Sequence, residues 1–142
     1  MEDCIFCNIV KGKIPCFKIY EDSNVFAFED INPVADGHTL IIPKRHVQDL
    51  WEISDEDLAA VHSASKKIIN AIKEVLNPTG VACIQLNGPG AGQEVNHYHL
   101  HLIPRIIGSS ELPVPNWKIK PGDMKLIKEM AEKIKEAIKK QK

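Results

Sequence analysis

The segment NHYHLHLIPR, residues 96–105, sets histidines at positions 97, 99 and 101 within an otherwise apolar run. Side chains of an extended chain alternate between faces. Val95, His97, His99, His101 and Ile103 therefore share one face, and Asn96, Tyr98, Leu100 and Leu102 the other. At a rise of about 3.4 Å per residue, neighbouring imidazoles on that face are rooted roughly 7 Å apart. A half-buried face that only had to meet solvent would carry threonine, lysine or glutamate, whereas imidazole is scarcer and titrates near neutral pH. Two chemistries suit imidazoles in line. They can chelate one metal, or one of them can act as nucleophile or general base while its neighbours align it and a bound anion.

Cys4 and Cys7 stand at the spacing of half a zinc site, and a tetrahedral structural site needs two more ligands from elsewhere in the chain. Three histidines and two cysteines exceed that need, so at least one imidazole remains for other work. A redox reading of the pair is weak, because nothing ahead of it could be the strand of a thioredoxin-like unit. Cys16 and Cys83 have no partner at metal spacing and read as small packing residues. Just before the histidines, NGPGAGQE (residues 87–94) is rich in glycine. Its backbone N–H groups can approach an anion closely, and Asn87 and Gln93 add neutral hydrogen-bonding side chains. It is not a Walker loop, since no Gly-Lys-Ser/Thr follows and no helix is expected there; a plain hairpin turn fits it as well.

The elements that must hold these residues can be read in order. Asp3 is placed to cap a short helix through CIFCNIVK, with Gly12 and Pro15 as stop signals. FKIYE (17–21) and NVFAFED (24–30) read as strands joined through Asp22 and Ser23, and HTLIIP (38–43) as a third strand after the turn INPVADG. Ser54 with Asp57 resembles a capping box, and Leu58, Val61, Ser65, Ile68, Ile72 and Val75 recur at helical spacing, predicting a helix over 55–76 that ends at Asn77 and Pro78. VACIQLN (81–87) and VNHYHLHLIP (95–104) complete the set as fourth and fifth strands, antiparallel about the glycine-rich turn. After the proline-rich ELPVPNWKIKPG, the residues Met124, Ile127, Met130, Ile134 and Ile138 predict a last amphipathic helix whose lysines form a solvated face.

These strands around one long helix predict an α+β fold, an antiparallel sheet of about five strands with a short N-terminal helix and a C-terminal helix. At 142 residues, without repeats or a long linker, the chain is expected to be one domain over 1–142. Hydrophobic residues make up 44% and charged residues 26%, and the formal charge is −1, which gives no basic stripe for nucleic acid. The opening MEDCIFC has no basic leader or long apolar run, so neither secretion nor a membrane partner is expected, and the cytoplasm is.

The motifs together resemble the histidine triad (HIT) family. The likeness rests on HYHLHLIPR as the His-x-His-x-His signature, AGQEVNH before it, FEDINPVADGHTLIIPKRHV upstream and CIFCNIV at the start, in family order over residues 4–105; the tail over 106–142 carries little of it. HIT proteins are nucleotide-binding hydrolases and transferases, usually homodimers, that act at the α-phosphorus of nucleotide conjugates. The resemblance implies His99 as the nucleophile, forming a nucleotidyl-histidine intermediate from a purine nucleotide conjugate such as an adenosine phosphoramidate or dinucleoside polyphosphate. It implies His101 at the phosphate or leaving-group oxygen, Asn87 and Gln93 at the phosphate, Asp30 at the ribose hydroxyls, and Phe6, Ile9 and Phe28 as an apolar slot for the base. His38 is expected nearby as a supporting donor, and His62 at the surface. The zinc-containing type is resembled at Cys4, Cys7, His46 and His97, which implies a closed structural zinc site. The role of Trp117 stays open. Two other readings compete: a nucleotide-binding regulatory module with little catalysis, and a catalytic metal held by His97, His99 and His101.

Overall fold

A computed structural model describes residues 3–109 and 120–141 of the chain. The chain divides into two compact units, Met1–Ser109 and Ser110–Lys142.

In the first unit, helix α1 (Ile5–Val10) is capped by Cys4, whose sulfur accepts from the Cys7 backbone N–H at 3.4 Å; Asp3, the expected cap, lies one residue outside. The reason lies in the spacing. A residue three before Cys7 is the one whose side chain reaches that orphan N–H, so the Cys-x-x-Cys pair is also the helix start.

Strands β1 (Lys18–Glu21) and β2 (Val25–Glu29) form a hairpin whose turn is tied by Asp22. Its Oδ1 accepts from the Asn24 and Val25 N–H groups at 2.8 Å each, and its Oδ2 from the Tyr20 hydroxyl at 2.8 Å. Strand β3 (Thr39–Pro43) pairs with β2, then with β5 (Leu100–Arg105), and β5 pairs with β4 (Gly80–Ile84). The sheet order is β1-β2-β3-β5-β4 and every pair is antiparallel, as the sequence predicts. Ahead of β3, Gly37 has φ +84°, and a Cβ there would meet Leu76 Cδ1 at 2.6 Å, so this turn needs glycine.

Helix α2 (Asp55–Leu76) has the predicted limits. Ser54 Oγ accepts from the Asp57 N–H at 3.1 Å, and Asn77 closes the helix in the left-handed region with φ 47°. Its buried apolar line is Val61, Ala64, Ile68 and Ile72; Ala64 takes the place expected of Ser65, and Val75 is 79% exposed and not part of the line. This line packs on Val25, Ala27, Ile41, Tyr98, Leu100 and Leu102. On the opposite sheet face, α1 contributes Phe6 and Ile9 to a cluster with Phe26, Phe28, Leu40 and Ile42. The histidine run thus enters a sheet covered on one face by α2 and on the other by α1.

Two expected strands are shorter than predicted. The fourth covers 80–84 rather than 81–87, and β5 starts at Leu100 rather than Val95. Pro43 has no N–H to continue the ladder, and residues 95–99 are held otherwise: the Tyr98 N–H donates to Val47 O at 2.7 Å and the His97 ring donates to Pro43 O at 2.8 Å. Alternation of faces survives the break, with Tyr98 and Leu100 under α2 and Val95 against the α1 cluster. Cys16 borders that cluster as expected, but Cys83 is exposed on β4, an edge strand, and is not a packing residue.

In the second unit, α3 (Met124–Lys139) starts at Asp123, whose Oδ1 accepts from the Lys125 and Leu126 N–H groups at 2.9 and 3.2 Å. Its apolar stripe of Met124, Ile127, Met130, Ile134 and Ile138 is exposed. Trp117 lies outside the described residues. No helix among them is long and apolar enough to cross a membrane.

Candidate active site and metal centre

Cys4 and Cys7 from α1, His46 from the loop after β3, and His97 from the approach to β5 bring their donor atoms within 4.8 Å of one another. Cys4 Sγ and Cys7 Sγ lie 3.4 and 3.6 Å from His97 Nδ1, and Cys7 Sγ lies 3.3 Å from His46 Nδ1. Sulfur and nitrogen ligands of one tetrahedral zinc stand roughly 3.5 Å apart, given bond lengths near 2.3 and 2.0 Å. The donor set therefore fits zinc in spacing and type. The tautomer fits too. His97 donates its Nε2–H to Pro43 O, which leaves the Nδ1 lone pair toward the thiols. Burial pushes His97 down to about 4, with the neighbouring imidazoles adding to it, so the ring is a neutral ligand at pH 7. Burial and the adjacent Cys4 raise the Cys7 thiol, a rise that a bound cation would reverse.

His99 uses the next hydrogen bond along the chain. Its Nδ1–H donates to the His97 carbonyl at 2.7 Å, so Nε2 carries the lone pair. Burial lowers its pKa, against the opposing pull of that bond and of Asp30 and Glu94. A neutral imidazole with its distal nitrogen pinned is a ready nucleophile.

His101, its ring centroid 5.0 Å from that of His99, is set by a relay from the turn before β3. The Val34 N–H donates to His38 Nδ1 at 3.0 Å, so His38 carries its proton on Nε2. That proton is donated to His101 Nδ1 at 2.9 Å, and Asp30 Oδ2 lies 3.6 Å from His38 Nε2. His101 is left with a free N–H at Nε2. Burial, then His99 and His38, push its pKa down to about 4, and burial lowers His38 as well. Asp30, His38 and His101 also lie close enough to hold a cation, but the Val34 N–H disfavours it. A metal on His38 Nε2 would shift the proton to Nδ1, against a backbone donor. These bonds leave a lone pair on His99 Nε2 and an N–H on His101 Nε2, an acceptor and a donor on rings whose centroids are 5.0 Å apart.

The other residues singled out in the sequence fall around this pair in differing ways. Asp30 sits beside His38, its Oδ1 accepting from the Asn32 N–H at 2.8 Å. Phe6, Ile9 and Phe28 are all buried in the α1 cluster, with Phe6 edge-on to Phe28 at 5.5 Å and to His99 at 5.2 Å. Gln93 is buried and its amide is fully engaged: Oε1 accepts from the Gly88 N–H at 2.7 Å, and Nε2 donates to Gln48 O and Val95 O at 2.7 and 3.0 Å. Asn87 Oδ1 accepts from the Leu50 N–H and Gln85 Nε2 at 2.8 Å each, and its Nδ2 donates to Gln85 Oε1 at 3.0 Å. The glycine loop itself makes a short 3₁₀ turn, Pro89–Ala91, that engages the N–H groups of Ala91, Gly92 and Gln93 internally. In this state it is a folded turn and not an open anion cradle. His62 is exposed as expected, yet its Nε2 meets the buried Tyr98 hydroxyl at 3.2 Å.

Sequence reasoning missed the backbone groups that choose the tautomers: the carbonyls of Pro43 and His97 and the N–H of Val34. Backbone groups leave no mark in residue identity. It also missed Glu94 as a charge near His99.

The model of the HIT domain matches residues 11–106. The chain belongs to the HIT family. A HIT family protein from Bacillus anthracis superposes with a TM-score of 0.86 at 42% identity, covering 96% of this chain and 97% of that one. The HIT chain is also 42% identical over 135 residues, 93% of its length and 98% of the relative's, to a Schizosaccharomyces pombe protein named adenosine 5'-monophosphoramidase. A zinc-bound histidine triad family protein from Mycobacterium smegmatis matches with a TM-score of 0.75 at 36% identity, over 82% of this HIT chain and 85% of that one.

Proposed function

We propose that this HIT protein hydrolyses nucleotidyl conjugates at the α-phosphorus through a nucleotidyl-His99 intermediate, and that adenosine phosphoramidates are its main substrate class. The observation that carries the reading is the 2.7 Å bond from His99 Nδ1–H to His97 O, which leaves Nε2 unprotonated beside the N–H of His101. His99 Nε2 gives its electron pair to the α-phosphorus. The bond from phosphorus to the leaving amine breaks as that nitrogen takes a proton from solvent, while the His101 Nε2–H, on a neutral ring, hydrogen-bonds to the phosphoryl oxygen or to the departing nitrogen. Water then attacks the same phosphorus, the P–N bond to His99 breaks with its electron pair returning to Nε2, and the nucleoside monophosphate leaves while the water gives one proton back to solvent, matching the one taken up by the amine. His101, Asn87 and Gln93 contact phosphate oxygens in this reading, the two amides by exchanging part of their present bonds. Asp30 takes the ribose hydroxyls, and the edge of the Phe6, Ile9 and Phe28 cluster takes the base. The name of the yeast relative supports the amine leaving group.

Cys4, Cys7, His46 and His97 would hold zinc, which in a four-ligand site would serve as a structural cross-link; the zinc-bound relative supports the choice of metal. We also place two copies in a homodimer, for which the β4 edge offers unpaired backbone. Free thiols at Cys4 and Cys7 suit the cytoplasm.

The test is AMP release from an adenosine phosphoramidate and from diadenosine tetraphosphate, by wild type and by His99→Ala. Wild type is expected to cleave the phosphoramidate faster, and the variant to lose at least about a thousandfold while still binding AMP. A variant with wild-type turnover would end the His99 mechanism, and tight AMP binding without cleavage of any conjugate would make the protein a binding module.

A further inference from the structure

His97 belongs to both halves of the site. Its ring nitrogen Nδ1 lies 3.4 and 3.6 Å from the sulfurs of Cys4 and Cys7, while its backbone carbonyl accepts the Nδ1–H of His99 at 2.7 Å. The residue is fully buried, and its other ring nitrogen is fixed to Pro43 O at 2.8 Å, so the ring has no free direction in which to absorb a displacement. A shift of the ring toward or away from the thiols must move the backbone that holds His99.

Phe6 makes a second link. It stands between the two cysteines on α1, and its ring meets the edges of His97 at 5.9 Å, His99 at 5.2 Å and Phe28 at 5.5 Å. Helix α1 has six residues, too few to be stable alone, so its place depends on what Cys4 and Cys7 bind and on the packing of Phe6 and Ile9. Whatever draws the four donors together also presses Phe6 against the nucleophile.

We infer that the Cys4–Cys7–His46–His97 cluster and the nucleotide site are coupled: filling the cluster positions His99 and the Phe6 wall for a nucleotide, and a bound nucleotide tightens the hold of the cluster on its metal. His97 and Phe6 are the positioning residues. This rests on the nucleotide reading above and adds a consequence that a purely structural cross-link would lack. By linkage the two effects are equal in size, one factor in both directions.

The full chain loaded with cobalt(II) provides the test, because thiolate and imidazole ligation of cobalt is visible in absorption and the loaded protein is compared with itself. AMP binding is followed by calorimetry on the same sample. Cobalt affinity is measured by chelator competition with and without AMP. Coupling is expected to shift the cobalt bands on AMP addition and to raise cobalt affinity about fivefold or more. Phe6→Leu should still bind cobalt but show a smaller response. If AMP binds by calorimetry while the bands and the affinity stay unchanged, the coupling is overturned and the nucleotide reading stands. If AMP does not bind, both fall together. If cobalt gives no thiolate bands, the cluster is no metal site and the coupling alone falls. Should the metal-free protein unfold, the band shift of the loaded protein decides by itself.

Discussion

At His99 one backbone carbonyl determines which nitrogen is free, and at His101 a backbone N–H two residues removed in the relay does the same. These are small groups with a large effect, because a neutral imidazole offers a lone pair on one side only. His38→Ala removes the donor to His101 Nδ1 and lets the ring take either tautomer. Turnover is expected to fall roughly ten- to a hundredfold with little change in AMP affinity, measured by steady-state kinetics alongside calorimetry. Burial holds His38, His99 and His101 below the usual imidazole value, His101 at about 4. On the proposed mechanism His99 is therefore unprotonated at neutral pH, and the acid limb of kcat/KM is expected below pH 6.5. A limb at 6.5 in the pH profile would contradict this.

The elements were legible where local chemistry alone decides them. Ser54 and the Asn77–Pro78 stop mark α2 because a capping oxygen and a left-handed residue are needed there whatever packs nearby. Ser54→Ala is expected to cost about 1 kcal/mol and Ile68→Ala about 2–5 kcal/mol in urea unfolding, the first a lost cap and the second a cavity under the sheet. The histidine strand was less legible. Alternation gave the right faces for Val95, His97 and His99 on one side and Tyr98, Leu100 and Leu102 on the other, but where pairing begins depends on Pro43 across the sheet, and that proline speaks only once β3 is known to be the neighbour. Gln93 is similar. Its residue type suits the phosphate contact proposed for it, and only the fold shows that its partners Gly88, Gln48 and Val95 also make it the tie of the glycine loop.

On the scale of the whole molecule, the Cys4–Cys7–His46–His97 cluster, whose donors fit a metal, joins α1 to the loop after β3 and to the histidine run. Chelation is therefore expected to lower the thermal midpoint, and Cys7→Ser to reproduce that loss without chelator, both read by calorimetry. The same buried histidines shape stability against pH. His38 and His101 remain neutral when folded but titrate near 6.5 when unfolded, so below that pH the unfolded chain binds protons that the folded one refuses. Their contribution is complete above about pH 6.5 and drains away as pH falls toward 4. The midpoint should drop over that window, and His101→Gln should flatten the drop.

Periodicity, caps and short spacings are local properties of a chain, so the α+β elements could be read from residue identity, and the family from the resemblance of ordered motifs over residues 4–105. The tertiary structure decided which residues meet and in which protonation form. Cys4 and His97 are 93 positions apart, and His38 and His101 63, so no spacing rule connects them. Only the packing of α1 and β3 against the histidine run brings them within bonding distance. Only there do buried backbone groups, each obliged to find a partner, choose which ring nitrogen keeps a hydrogen and which keeps a lone pair at His97, His99 and His38.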